Sequence, residues 1–214
     1  MSREGLKEAR RIQLIEATID CVARRGFADL TLAKVAETAG LSGGIVNFYF
    51  KSKDALLLAT FTHMVNDYCQ SADQARRNAG PSVVAQIEAS IENDFNRLIG
   101  NRKRVTVWYA FWGEARWRPE FLRLCQDVSN QFLVETSALF RQLIAEGGYT
   151  HLNAEQIARG FCAMIDGLWL DILISPKPID RDDTKQTVRL FLASLFPTEF
   201  GQRLAAAGPS ASAA

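Results

Sequence analysis

Apolar residues in this chain return every three to four positions along almost its whole length, and nowhere every two. A helix turns once in 3.6 residues, so this spacing gathers them on one face. Ile12, Ile15, Ile19 and Val22 make a first stripe, and Leu57, Phe61, Met64 and Tyr68 a second. Val84, Ile87, Ile91, Phe95 and Leu98 make a third, closed by Gly100. An aromatic helix is expected from Val105 to about Trp117. A long one carries Phe121, Cys125, Val128, Phe132, Leu139 and Leu143. Ile157, Phe161, Ile165, Leu168 and Ile172 follow an Asn153 cap, and Val188, Phe191, Leu192 and Leu195 complete the series. The breaks agree: Gly26 after Arg24-Arg25, Gly80-Pro81, Arg118-Pro119, Gly147-Gly148 and Pro176-Lys177-Pro178 are helix stops and starts. The pattern predicts an all-α chain of about nine helices.

Composition narrows the class. The 214 residues are 48% hydrophobic and 23% charged, too apolar for disorder throughout. No run approaches the roughly 20 apolar residues of a membrane-spanning helix, and the N-terminus has no apolar run of signal-peptide type. Both point to a cytoplasmic protein. Cys21, Cys69, Cys125 and Cys162 are far apart, and His63 and His151 are the only histidines. Such spacing predicts buried thiols and neither a disulfide framework nor a metal site. Paired Glu-x-x-His motifs, a nucleophile elbow and a phosphate-cradling glycine loop are all missing from the sequence. We expect no enzyme and no cofactor.

The informative stretch is Thr31 to Lys53. Thr31 can cap a helix whose inner face is Leu32, Val35, Ala36 and Ala39. Gly40 supplies a turn, Leu41 plugs it, and Ser42 caps a second short helix ending near Phe50. Two short helices across a tight glycine turn form a helix-turn-helix. Val46 and Phe50, four apart, should face inward. Gly43, Gly44, Asn47, Phe48 and Tyr49 are left outside. Exposed aromatics on a short helix need a partner, and a DNA groove is one. Asn47 can pair with a base edge and Phe48 can touch a thymine methyl. Ser42, Tyr49, Lys51 and Lys53 can meet phosphates. The alternative is that Phe48 and Tyr49 pack on a neighbouring helix.

Gly40-Leu41-Ser42-Gly43-Gly44 through Tyr49-Phe50-Lys51-Ser52-Lys53-Asp54-Ala55-Leu56, with Gly26-Phe27 and Leu30-Thr31 before it, resembles the DNA-binding signature of the TetR-type transcriptional repressors. The resemblance covers about the first 60 residues. It implies DNA contacts at Thr31, Ala33, Ser42, Gly43, Gly44, Asn47, Phe48, Tyr49, Lys51 and Lys53. Asn47 stands where many members have Tyr, so one contact is expected to differ. It also implies a domain division: 1–54 for DNA and 55–196 for ligand binding and dimerisation. By its Ala, Gly, Ser and Pro composition, 197–214 is expected to be a flexible tail in which Phe200 and Leu204 could dock.

Charge fits that division. The net charge of +1 looks unfavourable for a nucleic-acid partner. It splits, however, into +3 over residues 1–53 and −2 over the rest. Arg3, Lys7, Arg10 and Arg11 add cations to the head, where phosphate could be met.

The body is rich in aromatic residues. Trp108, Phe111, Trp112 and Trp117 crowd one segment and Trp169 lies on a later helix. Ring faces hold a quaternary ammonium ion by cation–π attraction, with Glu114, Asp127 and Asp166 as candidate counter-charges. Core filling is the competing explanation for such aromatics. Ala110-Phe111-Trp112, Pro119-Glu120-Phe121-Leu122-Arg123-Leu124, and Ile165 to Leu170 with Ser175-Pro176-Lys177-Pro178 resemble the BetI-type, choline-responsive subgroup. That resemblance implies a homodimeric repressor on a palindromic operator, released by choline or a related cation. The candidate ligand residues, taken from the aromatic and carboxylate chemistry above, are Trp108, Phe111, Trp112, Glu114, Trp117, Asp166 and Trp169. A regulator of another pathway, or of efflux, with a different aromatic or cationic ligand is the alternative.

Overall fold

The computed structural model describes residues 2–206, with side chains as far as Gly201. Among the described residues every regular element is a helix. They are α1 (Arg3–Arg25), α2 (Leu32–Thr38), α3 (Gly43–Tyr49), α4 (Lys53–Asn78), α5 (Val83–Asp94), α6 (Arg102–Ala115), α7 (Pro119–Gly147), α8 (Ala154–Ile174), α9 (Arg181–Leu195) and α10 (Pro197–Ala206). No described helix is long and apolar enough to cross a membrane.

The boundaries have local causes. Ser2 Oγ accepts from the Gly5 amide at the start of α1, and Gly26 ends it at φ 69°. Thr31 Oγ1 accepts from the Lys34 amide, and Asn153 Oδ1 from the Gln156 amide. Each cap satisfies a donor that the first helical turn leaves unpaired. Pro119 opens α7, where a missing amide hydrogen costs nothing.

Three expectations change. Helix α5 stops at Asp94, so Leu98 lies in a turn and is 79% exposed. Its stripe ends at Phe95, because Asn96 Oδ1 captures the Leu98 and Ile99 amides. Helix α6 ends at Ala115, short of Trp117. The segment after Pro197 was expected to be a flexible tail, yet residues 197–206 form α10. Proline at its first position, a buried Phe200 beside Phe196, and a Tyr149 hydroxyl donating to Glu199 explain why it is helical. The Leu204 side chain and residues 207–214 lie outside the described residues.

The chain forms two compact units. One takes residues 1–69 and 102–128, hence α1, α2, α3, the first part of α4, α6 and the start of α7. The other takes residues 70–101 and 129–214. The first unit exceeds the expected head because α6 packs on α1. Its core holds Leu14, Ile15, Ile19, Val35, Val46, Phe61 and Phe111. In the second, Phe140 stacks on Phe196, and Val188 and Leu192 are fully buried.

Candidate nucleic-acid interface and effector residues

The helix-turn-helix is held from behind. The Gln13 amide on α1 donates to the Ala39 carbonyl at 2.7 Å, and Cys21 Sγ meets Thr38 Oγ1 at 3.2 Å. Gly40 turns the chain at φ 65°, a conformation that Gly adopts without strain. Val46 and Phe50 are buried, so α3 presents its remaining faces outward. Ser42 caps α3 through its carbonyl, which accepts from the Ile45 amide at 3.0 Å, and its hydroxyl makes no bond to the helix.

That leaves Thr31, Ala33, Ser42, Gly43, Gly44, Asn47, Phe48 and Lys51 exposed and Tyr49 half-buried. Phe48 is 72% exposed and touches Tyr49 edge-on at 5.1 Å. Packing on a neighbouring helix therefore does not account for Phe48. Lys53 differs from the other candidates. Its ammonium donates to the Phe27 carbonyl at 2.8 Å and ties the end of α1 to the start of α4. Among the head cations, Arg3 and Lys7 are exposed. Arg11 pairs with Glu8 and lies over the Phe50 ring, and Arg10 donates to Gln13.

The effector candidates separate into different environments. Trp108 is buried in the first unit, edge-on to Phe61 at 5.1 Å and near Tyr68 and Trp112. Trp112 is half-buried and meets Tyr109 at 5.3 Å. Phe111 is fully buried, stacked on Phe61 at 4.5 Å and edge-on to Phe27 at 4.9 Å. It is a core ring. Glu114 pairs with Arg118, which also holds Asp54 and covers the Phe121 ring, so its charge is already matched. Trp117 is 75% exposed, and the Arg116 guanidinium sits 5.6 Å from its ring centre. Neither residue is positioned like Trp108 and Trp112.

In the second unit, Trp169 is buried and its Nε1 donates to the Asp94 carbonyl at 3.0 Å. Asp166 is half-buried on the same helix, and burial raises its carboxyl pKa to about 6, since desolvation disfavours the charged form. Asp127 is exposed on α7. The aromatic wall of α6 also includes Tyr68 on α4, about 40 residues earlier in sequence. Only its place in the Leu57–Tyr68 stripe pointed inward.

Among the described residues, an all-helical chain with a helix-turn-helix and an exposed aromatic on its second helix has the architecture of a helical DNA-binding regulator. Residues 14–60 match the family described as bacterial regulatory proteins of the tetR family, and residues 83–197 match the BetI-type transcriptional repressor C-terminal domain. The HTH-type transcriptional regulator BetI 1 of Chromohalobacter salexigens is 35% identical over 87% of this chain and 90% of its own length. BetI of Escherichia coli K12 is 31% identical over 93% of this chain and all of its own. A transcriptional regulator of Pseudomonas aeruginosa PAO1 superposes with a TM-score of 0.80 at 26% identity, over 91% of this chain and 94% of that one. A Saccharomonospora viridis regulator solved with choline superposes at 0.76 and 21% identity, over 86% and 96%. The chain belongs to the TetR family of DNA-binding transcriptional regulators and carries a BetI-type C-terminal domain. This is a family of regulators and not of enzymes.

Proposed function

We propose that the protein is a cytoplasmic homodimeric repressor that reads a palindromic operator and releases it on binding a choline-like cation. Exposed Phe48 beside Tyr49 on α3 supports the DNA-reading role. Asn47, Gly43 and Gly44 share the exposed surface of that helix, and Ser42, Lys51, Thr31 and Ala33 flank it. Lys53 serves from behind through Phe27. The exposed apolar residues Leu170 and Ile174 on α8 and Leu190 on α9 support pairing of those helices across a two-fold axis. A two-fold dimer implies an inverted-repeat site.

The effector reading is carried by one observation. Trp108 and Trp112 stand one turn apart on α6, inside the segment that matches the BetI-type domain. Tyr68 and Tyr109 extend that wall, and the choline-bound relative shares the fold. Asp166 and Trp169 are carried as separate candidates in the other unit. Binding shifts the population toward a spacing of recognition helices that no longer fits successive major grooves. The pairing of Glu114 with Arg118 favours a second reading, a neutral aromatic effector, because it removes one counter-charge from α6.

The test is fluorescence anisotropy with the inverted repeat upstream of its own gene. Choline should release the DNA, and Trp112→Ala should raise the choline needed by about tenfold. Release by neither choline nor betaine aldehyde ends the cation reading and leaves the DNA reading standing. A missing salt-sensitive complex with any upstream fragment ends both.

A further inference from the structure

Glu16 on α1 and His63 and Asp67 on α4 bring three ligand atoms to one place. His63 Nε2 lies 3.3 Å from Glu16 Oε1 and 3.5 Å from Asp67 Oδ2. All three atoms lie within 4.8 Å of one another. His63 and Asp67 are one helical turn apart, so they share a face of α4, and Glu16 reaches it from α1. The three residues are half-buried and open to an ion.

Hydrogen bonding alone accounts poorly for this geometry. Nε2 carries at most one hydrogen, and it stands almost equally far from two carboxylate oxygens. A charge-assisted N–H···O bond closes to about 2.8 Å. A tetrahedral ion with bonds of about 2.1 Å instead holds its ligand atoms about 3.4 Å apart. Both histidine distances match that edge. One imidazole with two carboxylates is a donor set for borderline divalent ions.

We propose that Glu16, His63 and Asp67 form a site for one divalent transition-metal ion, which clasps the first helix of the DNA-reading region to α4. Arg104 Nη2 holds the same Asp67 oxygen at 2.6 Å, so an arriving ion competes with this guanidinium. Competition makes the site one of moderate affinity, and it does not depend on the effector reading.

The experiment is calorimetric titration of the full-length protein with Zn2+, repeated with Co2+ by absorption spectroscopy. We expect one saturable site per chain, a Co2+ spectrum without a thiolate charge-transfer band, and a Zn2+-dependent rise in melting temperature. His63→Ala and Glu16→Gln should each weaken binding by at least about tenfold. Glu16→Gln also loses the rise in melting temperature, and this conservative change keeps the test informative if His63→Ala does not fold. No saturable Zn2+ binding overturns the proposal. So does binding that both variants leave unchanged with a thiolate band, which assigns the metal to cysteines. Melting that responds to pH but not to Zn2+ overturns it as well, leaving a proton shared by His63 and the carboxylates.

Discussion

Helices α3 and α6 both carry adjacent aromatic residues, and they use them in opposite ways. On α3 Val46 is buried, as is Phe50 just past its end, while Phe48 stands in solvent. On α6 the rings of Trp108 and Phe111 are buried against Phe61. The difference follows from surroundings. Helix α3 has seven residues and packs on α2, so it has a face with no protein to cover it. Helix α6 packs on α1 and meets rings from α4 and α7. Aromatic content alone therefore does not separate recognition from packing; the number of neighbouring helices does.

Phe111→Ala should break the buried side of that contrast most severely. It removes a ring in contact with Phe27, Phe61 and Phe121. We expect a loss of about 3–5 kcal/mol in urea unfolding. Asp166→Asn should act next, in the stabilising direction. The carboxyl pKa is about 6 when folded against 3.8 for an aspartate free in water. Between these values the unfolded chain ionises first, so stability falls as pH rises from about 4 to 6 and the penalty persists above. The variant should be more stable at pH 7 by up to about 3 kcal/mol, with no gain below pH 4. Melting curves across that range check this.

Phe48→Ala should have the reverse profile to Phe111→Ala. Operator affinity should fall by about tenfold with unfolding unchanged within about 0.5 kcal/mol. A large stability loss would mean that Phe48 packs in solution and would erase the contrast. Trp117→Ala should change least. An exposed ring beyond the end of α6 should alter neither melting nor the proposed choline response beyond about 0.5 kcal/mol. A blunted response would return Trp117 to the effector wall.

The fold was legible because its signals are local. Stripe spacing, Gly26, Gly40, Pro119 and the Asn153 cap all act within one or two turns. The helix-turn-helix was legible for the same reason: its inward and outward residues follow from helical angle within 20 positions. The surroundings of the effector candidates were less so. Glu114 is matched by Arg118 four residues on, but Arg118 is fixed in turn by Asp54 from far upstream. The Trp169 indole is tied down because Asp94, 75 residues away, supplies a carbonyl for it. Residues 197–206 form a helix whose anchors reach back to Tyr149. The Glu16–His63–Asp67 group escaped motif reading because Glu16 and His63 are 47 residues apart.

The bond from Lys53 to the Phe27 carbonyl bears on how genetics would read this molecule. A screen for alleles that no longer silence their target would recover changes at Lys53 beside those at Lys51. If Lys51 meets phosphate as proposed, only its alleles would report on the operator. Those at Lys53 would act by untying the end of α1 from α4, and could be compensated within the protein without any change in the DNA.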